Sequence, residues 1–347
     1  MKKIFVIFTA LILASLCILL AACFSSWDGL GEEGSIVINL GNGGARAADP
    51  DPDNVYTVTI TNSGETSISQ KAYGGTASFS SVTPGSWNVL VRKVNSQGKL
   101  VGYGETDVEV KAGAKADATV TVTMDNEVME VVNAWTDLKD VLEGATEKGT
   151  VLLTRNLRVN SFIEISSGHE IILLAKKNIA ITKGNFANSL FRVIWNSTLI
   201  LGEMNGENTI TIIGNNVANN ASLFYVGTES RINDTKKGGG KLIMNNGVFL
   251  TNNYTVNDDR GGGVTVDEGG TFNMTGGTIL GNTADKGGGV RVLDGTFTKS
   301  GGIIYGSNEG SNSNRATSGS GHAVYFDKNT SNNKNNTLWS TSDGNIP

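Results

Sequence analysis

Gly261 to Asn282 reads GGGVTVDEGGTFNMTGGTILGN, and Gly287 to Ser307 reads GGGVRVLDGTFTKSGGIIYGS, nearly the same line twice. Self-similarity at a period of about 20 to 50 residues marks a solenoid, where each unit buries its apolar face only against the next. The triplets Gly261, Gly262, Gly263 and Gly287, Gly288, Gly289 open the two units. Working outward, the second triplet is echoed by Gly321-His322-Ala323-Val324-Tyr325-Phe326, after a longer interval than the first. Upstream, Ser189-Leu190-Phe191-Arg192-Val193 returns as Ser222-Leu223-Phe224-Tyr225-Val226. A constant strand motif at variable spacing is what loop insertions at one corner of a stacked coil produce.

From Val151 onward short apolar runs such as VLLT, FIEI, EIILLA, NIAIT, TITIIG, KLIM and GVFL alternate with Asn/Gly/Ser turns. None is long enough for a good helix, and Asn and Gly supply left-handed backbone at corners. The reading is a right-handed parallel β-helix over 150–347, of about seven to nine coils and about 35 to 45 Å at ~4.8 Å per coil. Its Asn/Ser-rich tail from Ser311 reads as loop. Over 130–149, Trp135, Leu138, Val141, Leu142 and Ala145 recur at helical spacing, with Thr136 placed to cap the start and Gly149 past the end. Such a helix would cover the open N-terminal end of the solenoid. Over 35–125 the period is two: Tyr56, Val58 and Ile60 face one way, Thr57, Thr59 and Thr61 the other, within about seven short strands. The fold class is therefore all-β, an N-terminal antiparallel β-sandwich followed by the β-helix and its short capping helix.

Two resemblances bear on these modules. Thr83-Pro84-Gly85-Ser86-Trp87-Asn88-Val89, followed by Gly98, Gly102 and Val108-Glu109-Val110-Lys111-Ala112-Gly113, resembles the prealbumin-like or carboxypeptidase-regulatory-like domains of bacterial surface proteins. A generic immunoglobulin-like sandwich fits the same pattern. Gly-Gly-Gly-Val-x-Val, then Gly-Thr-Phe and Gly-Gly-x-Ile, is similar to the Gly-rich repeats of bacterial surface lipoproteins with a pectin-lyase-like β-helix. It is also similar to the polymorphic outer-membrane proteins, departing from them at Phe272-Asn273-Met274-Thr275, where Asn should close the motif. The first resemblance implies a spacer or stalk, and the second implies surface display and adhesion or host contact.

At the N-terminus Lys2 and Lys3 precede an apolar run closing on Leu20-Ala21-Ala22-Cys23, which resembles a bacterial lipoprotein signal with its lipobox. The resemblance implies cleavage between Ala22 and Cys23 and acylation of Cys23; Phe24, where an Asp would suggest inner-membrane retention, favours the outer membrane, and the repeat resemblance implies exposure at the cell surface. An uncleaved span is the alternative, since ~19 apolar residues can just cross a bilayer. Removing 1–22 takes Cys17 with it, so no disulfide framework is possible. Residues 23–34, the lipidated Cys and FSSWDGLGEEG, read as a tether reaching roughly 35 Å at full stretch. Losing Lys2 and Lys3 takes the formal net charge of −5 two units further negative, which argues against nucleic acid as a partner.

Chemistry is sparse. A polysaccharide lyase needs a carboxylate cluster beside an Arg or Lys base, and Asp258, Asp259, Arg260, Asp267, Glu268, Asp285, Arg291 and Asp294 are the candidates, spread among Gly-rich turns where solvated charges are ordinary. His169 and His322 stand far apart in the sequence without a thiol to join them, so no zinc site is expected; no metal ligands are assigned, although Asp258 and Asp259 could bind a cation weakly. Gly238-Gly239-Gly240-Lys241 lacks the first glycine and the Ser/Thr of a phosphate loop, and Gly319-Ser320-Gly321 does not complete a nucleophile elbow. No cofactor follows. Trp195, Tyr225, Tyr254 and Tyr305 could stack on sugars if exposed, although most solenoid aromatics face inward. The expected function is non-catalytic contact with a host protein or glycan; a polysaccharide-active enzyme and an envelope structural protein are the alternatives.

Overall fold

The computed structural model describes residues 32–41, 55–64, 66–72, 75–124, 128–144, 148–166, 168–203, 206–218, 221–228, 238–256, 259–327 and 344–346. The expected signal, Ala22, Cys23 and the first part of the expected tether lie outside the described residues, as do Ala145 and Asp258. The chain divides into two compact units between Met124 and Asp125.

The smaller unit is a two-sheet sandwich. Val55–Asn62, Ser67–Ala72, Gly85–Val94, Leu100–Val110 and Thr123–Met124 form a five-stranded antiparallel sheet. Gly34–Gly41, Thr76–Val82 and Lys115–Thr121 form a three-stranded one. Alternation puts Val58, Ile60, Trp87, Val89 and Val91 from the first sheet against Ile36, Ile38, Phe79 and Val120 from the second in one core. The resemblance motif has a local reason: Gly85 takes φ +132°, and Trp87, folded into the core, donates its indole N–H to the Thr83 carbonyl at 2.9 Å. One pairing departs from the antiparallel expectation, because Ser35–Gly41 runs parallel to Lys115–Thr121. Period-two patterning sets which face is buried, not the direction of the neighbour.

The larger unit is a parallel β-helix with three strand faces. Face one stacks Glu130–Val132, Gly149–Leu153, Glu170–Ala175, Thr198–Leu201, Lys241–Met244, Thr271–Met274 and Thr296–Lys299. Face two stacks Leu157–Val159, Ile179–Lys183, Ile210–Ile213, Val248–Thr251, Thr278–Leu280 and Ile303–Ile304. Face three stacks Ile163–Ile165, Phe191–Val193, Phe224–Val226, Val264–Val266, Val290–Val292 and Val324–Phe326. All pairings within these faces are parallel. The described residues thus form six complete coils, about 24 Å from first to last at ~4.8 Å per step, fewer than the seven to nine expected. Corner insertions account for the shortfall. Successive face-three strands are unequally spaced in sequence, with the widest interval between Phe224 and Val264 and the narrowest between Val264 and Val290. Leu157–Val159 is too short to stand out as an apolar run.

Inward positions align as columns. Ile171, Leu199, Leu242, Phe272 and Phe297 stand one above another, and Phe191 stacks on Phe224 with centroids 5.0 Å apart. Each buried side chain contributes about 1.5–3 kcal/mol. The corner after face two carries a second column, the fully buried Asn253, Asn282 and Asn314. Asn282 Nδ2 donates to the Leu250 and Leu280 carbonyls, and its Oδ1 accepts the Asn253 N–H at 3.1 Å. Asn314 repeats the pattern one coil on, accepting the Asn282 N–H at 3.0 Å. The Gly triplets are close-approach sites: a Cβ on Gly262 would lie 2.1 Å from the Gly288 carbonyl oxygen, and one on Gly288 2.6 Å from the Arg315 nitrogen. The Gly238–Lys241 run is likewise a packing corner, where a Cβ on Gly239 would meet the Gly269 carbonyl at 2.1 Å.

Both ends are covered. The helix spans only Trp135–Gly144, shorter than expected, because Val131 and Val132 pair with the next coil as a strand and Gly149 begins another. Thr136 lies inside its first turn; the Ala134 carbonyl receives the Leu138 N–H at 3.1 Å. The helix buries Leu138 and Leu142 on the solenoid core. Its polar side chains also complete the first face-three strand: Glu143 accepts the Glu164 N–H at 3.1 Å, and Lys139 donates to the Phe162 carbonyl at 2.8 Å. At the other end part of the expected loop tail is ordered, since Arg315–Ala316 and Val324–Phe326 belong to the last coil. Buried Ile346 exchanges backbone hydrogen bonds with Ile304 at 2.9 and 3.0 Å.

The interior makes two outcomes measurable. Asn282→Ala removes a buried amide that bonds to the coils on both sides and should lower stability by about 2–4 kcal/mol in urea melts, while Thr317→Ala, at an exposed turn, changes it far less. Lys183 ends a face-two strand with its side chain buried, and burial lowers its pKa to about 8 from 10.5. The folded state then holds fewer protons than the unfolded chain between these values, so stability should rise as pH climbs from about 8 to about 10.5. Lys183→Met should be the more stable protein at pH 7 and should lose that rise; an unchanged pH profile contradicts the assignment.

Candidate binding face

Each face-three strand has three residues, so its first and third side chains enter the core and the middle one points out. The middle residues are Glu164, Arg192, Tyr225, Thr265, Arg291 and Tyr325, in register from coil to coil. Their flanking partners, from Ile163 and Ile165 to Val324 and Phe326, are all buried. The solenoid therefore sets an outward row of side chains at fixed spacing, charged or aromatic in every coil except that of the fully buried Thr265.

These side chains interlock. The Arg192 guanidinium lies between two rings, 5.9 Å from the Phe162 centroid and 5.7 Å from that of Tyr225, and its Nη1 is 3.7 Å from Glu164. Arg260, from the corner before the fourth strand, covers Tyr225 at 4.7 Å and approaches Asp267 at 3.7 Å. The Tyr225 hydroxyl shares its one proton between two acceptors, the Thr228 carbonyl at 3.0 Å and Asp267 Oδ2 at 3.1 Å. Burial first, and then the Asp267 charge and hydrogen bond, push the Tyr225 phenol well above its usual pKa, against the opposing pull of Arg260 and Arg192. Beyond Thr265, whose hydroxyl accepts the Gly261 N–H at 2.9 Å, Arg291 and Lys286 flank the Tyr325 ring at 5.8 and 5.4 Å. Arg291 also approaches Asp259 and Asp327. Guanidinium–ring contacts of this kind are worth about 0.5–2 kcal/mol each.

Of the sequence candidates, the face gathers Asp259, Arg260, Asp267 and Arg291. Arg291 and Asp267 are held in place rather than loosely solvated, since Arg291 belongs to a strand and Asp267 receives the Tyr225 hydroxyl. Glu268 serves through its backbone carbonyl, which accepts the Thr228 N–H at 2.9 Å, and the Asp285 carbonyl holds Ser318 at 2.6 Å. Asp294 follows the Val290–Val292 strand, with its Oδ1 buried and making no hydrogen bond among the described residues. His322 Nδ1 accepts the Ala316 N–H at 3.1 Å, a turn role. Among the described residues no group of three His, Cys, Asp or Glu could hold a metal ion, and no helix is long and apolar enough to cross a membrane. Tyr225 faces out yet is buried beneath Arg260, whereas Trp195, Tyr254 and Tyr305 are half-buried; the inward aromatic stacks consist of Phe residues. Sequence reasoning missed Glu164, Arg192, Lys286 and Tyr325. For all but Lys286 the signal was the middle letter of each apolar-x-apolar triplet, from Ile163-Glu164-Ile165 to Val324-Tyr325-Phe326.

Because the Tyr225 pKa is raised on folding, its contribution is fully present below the ordinary tyrosine pKa of about 10 and is lost as pH rises through the folded value. The ultraviolet titration of native protein between about pH 9 and 11 should be the same for wild type and Tyr225→Phe, the two differing by one tyrosine only after unfolding. A native wild type that titrates one tyrosine more would contradict the buried hydroxyl. The chain matches no protein-family model, no curated protein and no solved structure, so its own residues carry the functional argument.

Proposed function

We propose that this chain is a lipid-anchored envelope protein, held by acyl chains on Cys23, whose β-helix is a non-catalytic binding element for a host protein or glycan. One observation supports the binding part above others: the interlocked outward row on face three, from Glu164 to Tyr325. Ordering long charged side chains and drawing them from water costs entropy and solvation, and ordinary surface ion pairs return little. A rigid strand face that nonetheless fixes such groups has the pre-organisation recognition needs. The anchoring part is supported by Leu20-Ala21-Ala22-Cys23 and the Gly/Ser-containing tether after it. Acyl chains, not surface charge, would supply membrane affinity, since the chain is acidic.

Two measurements test this function. Cys23→Ser should move the protein from the detergent phase to the aqueous phase in cloud-point partition; retention of the variant in the detergent phase would sink the lipid anchor. Protease shaving of intact cells, with a periplasmic marker as lysis control and the purified protein as a control for intrinsic resistance, should remove the β-helix signal. Protection until permeabilisation would reject adhesion.

A further inference from the structure

Arg291 points away from the coil interior, yet it is only 3% exposed. Its Nε and Nη1 are buried and make no hydrogen bond among the described residues. Nη2 lies 3.8 Å from Asp259 Oδ1 and 4.0 Å from Asp327 Oδ2, beyond hydrogen-bond reach. A guanidinium carries five N–H donors in a fixed fork and stays charged at any biological pH. Buried donors left unpaired are costly enough that native proteins almost always supply an acceptor. The missing acceptor here is an oxyanion or a water.

Three features favour an oxyanion brought by a ligand. The Asp259 side chain is 79% exposed, so the carboxylate nearest Arg291 lies open to solvent, where an incoming oxyanion can compete with it. The bases Arg192, Arg260, Lys286 and Arg291 stand among the carboxylates Glu164, Asp259, Asp267 and Asp327, so the face carries no positive excess to draw a polyanion and suits a single negative group. The face-three backbone is already bonded from coil to coil, which bars a peptide from adding as a strand and leaves recognition to side chains. A sugar unit with one carboxylate and several hydroxyls has that chemistry. We infer that Arg291 anchors a subsite for a glycan bearing a single carboxylated unit, whose carboxylate takes the place of Asp259 on the guanidinium. This rests on the binding-element reading above and names its ligand class.

The test is calorimetric titration of the full mature lipoprotein in detergent micelles with sialyllactose, a singly carboxylated trisaccharide, and with neutral lactose. Sialyllactose should bind at least tenfold more tightly than lactose. Arg291→Gln should abolish the difference, and Asp259→Asn, which keeps the side chain's shape and removes its charge, should tighten sialyllactose several-fold. Equal binding of the two sugars, an Asp259→Asn variant that binds no better, or a folded Arg291→Gln variant that binds as wild type would overturn the subsite and leave water as the acceptor. Stronger binding of an acidic peptide or of heparin would overturn the ligand class. Adhesion of the protein to host cells is scored in parallel: adhesion without sugar binding rejects only the subsite, and absence of both rejects the binding-element reading as well.

Discussion

Phe191 pairs with Phe224, Phe224 with Val264, Val264 with Val290 and Val290 with Val324, each one coil further on. This parallel backbone ladder governs the larger unit, because it converts every strand position into a column rising about 4.8 Å per step. Inward columns become the core, with Phe191 on Phe224 and Phe272 on Phe297. Outward columns become surfaces whose chemistry is read one residue per coil. The binding face is thus a consequence of stacking: Arg192 reaches both Phe162 and Tyr225 because neighbouring coils hold them on either side.

Stacking also dictates where the chain can vary. Corners accept insertions as long as the strands return to register, which is why the path from Phe224 to Val264 can be much longer than that from Val264 to Val290. Where coils must touch, the backbone has no room for side chains, and glycine or a fully bonded Asn is used. Gly262 and Gly288 meet the next backbone directly, while Asn253, Asn282 and Asn314 replace peptide groups with side-chain amides inside the corner. A solenoid's ends lack a neighbour, and here Glu143 and Lys139 at one end and Ile346 at the other take over backbone partners that a further coil would have supplied.

Much of this was legible in the residues. Alternation in Tyr56-Thr57-Val58-Thr59-Ile60 and the short runs after Val151 point to strands, since a residue's face follows from its place in a local period. The recurrences visible in sequence correspond to true coil registers, Val264 on Val290, Phe191 on Phe224 and Val290 on Val324. The number of coils was not legible, because insertions and strands share the same Asn/Gly punctuation. Nor was the parallel partner of Ser35–Gly41, which comes from the opposite end of that unit's sequence. At the candidate face, Arg260 and Arg291 stood out as lone bases, but their neighbours did not: Arg192, Lys286 and Tyr325 are distant in sequence and meet their partners through coil stacking.

The core columns and the binding face alike depend on that register. Its most direct test is a set of paired spin labels on the outward face-two column, in a Cys23→Ser background, with one label at Ala180 and the other at Phe249, Thr278 or Ile303. Coil stacking predicts backbone separations growing in even steps, to about 10, 14 and 19 Å at ~4.8 Å per coil. Distances that do not climb by one coil spacing from each label pair to the next would contradict the stacked columns, and with them the face built upon them.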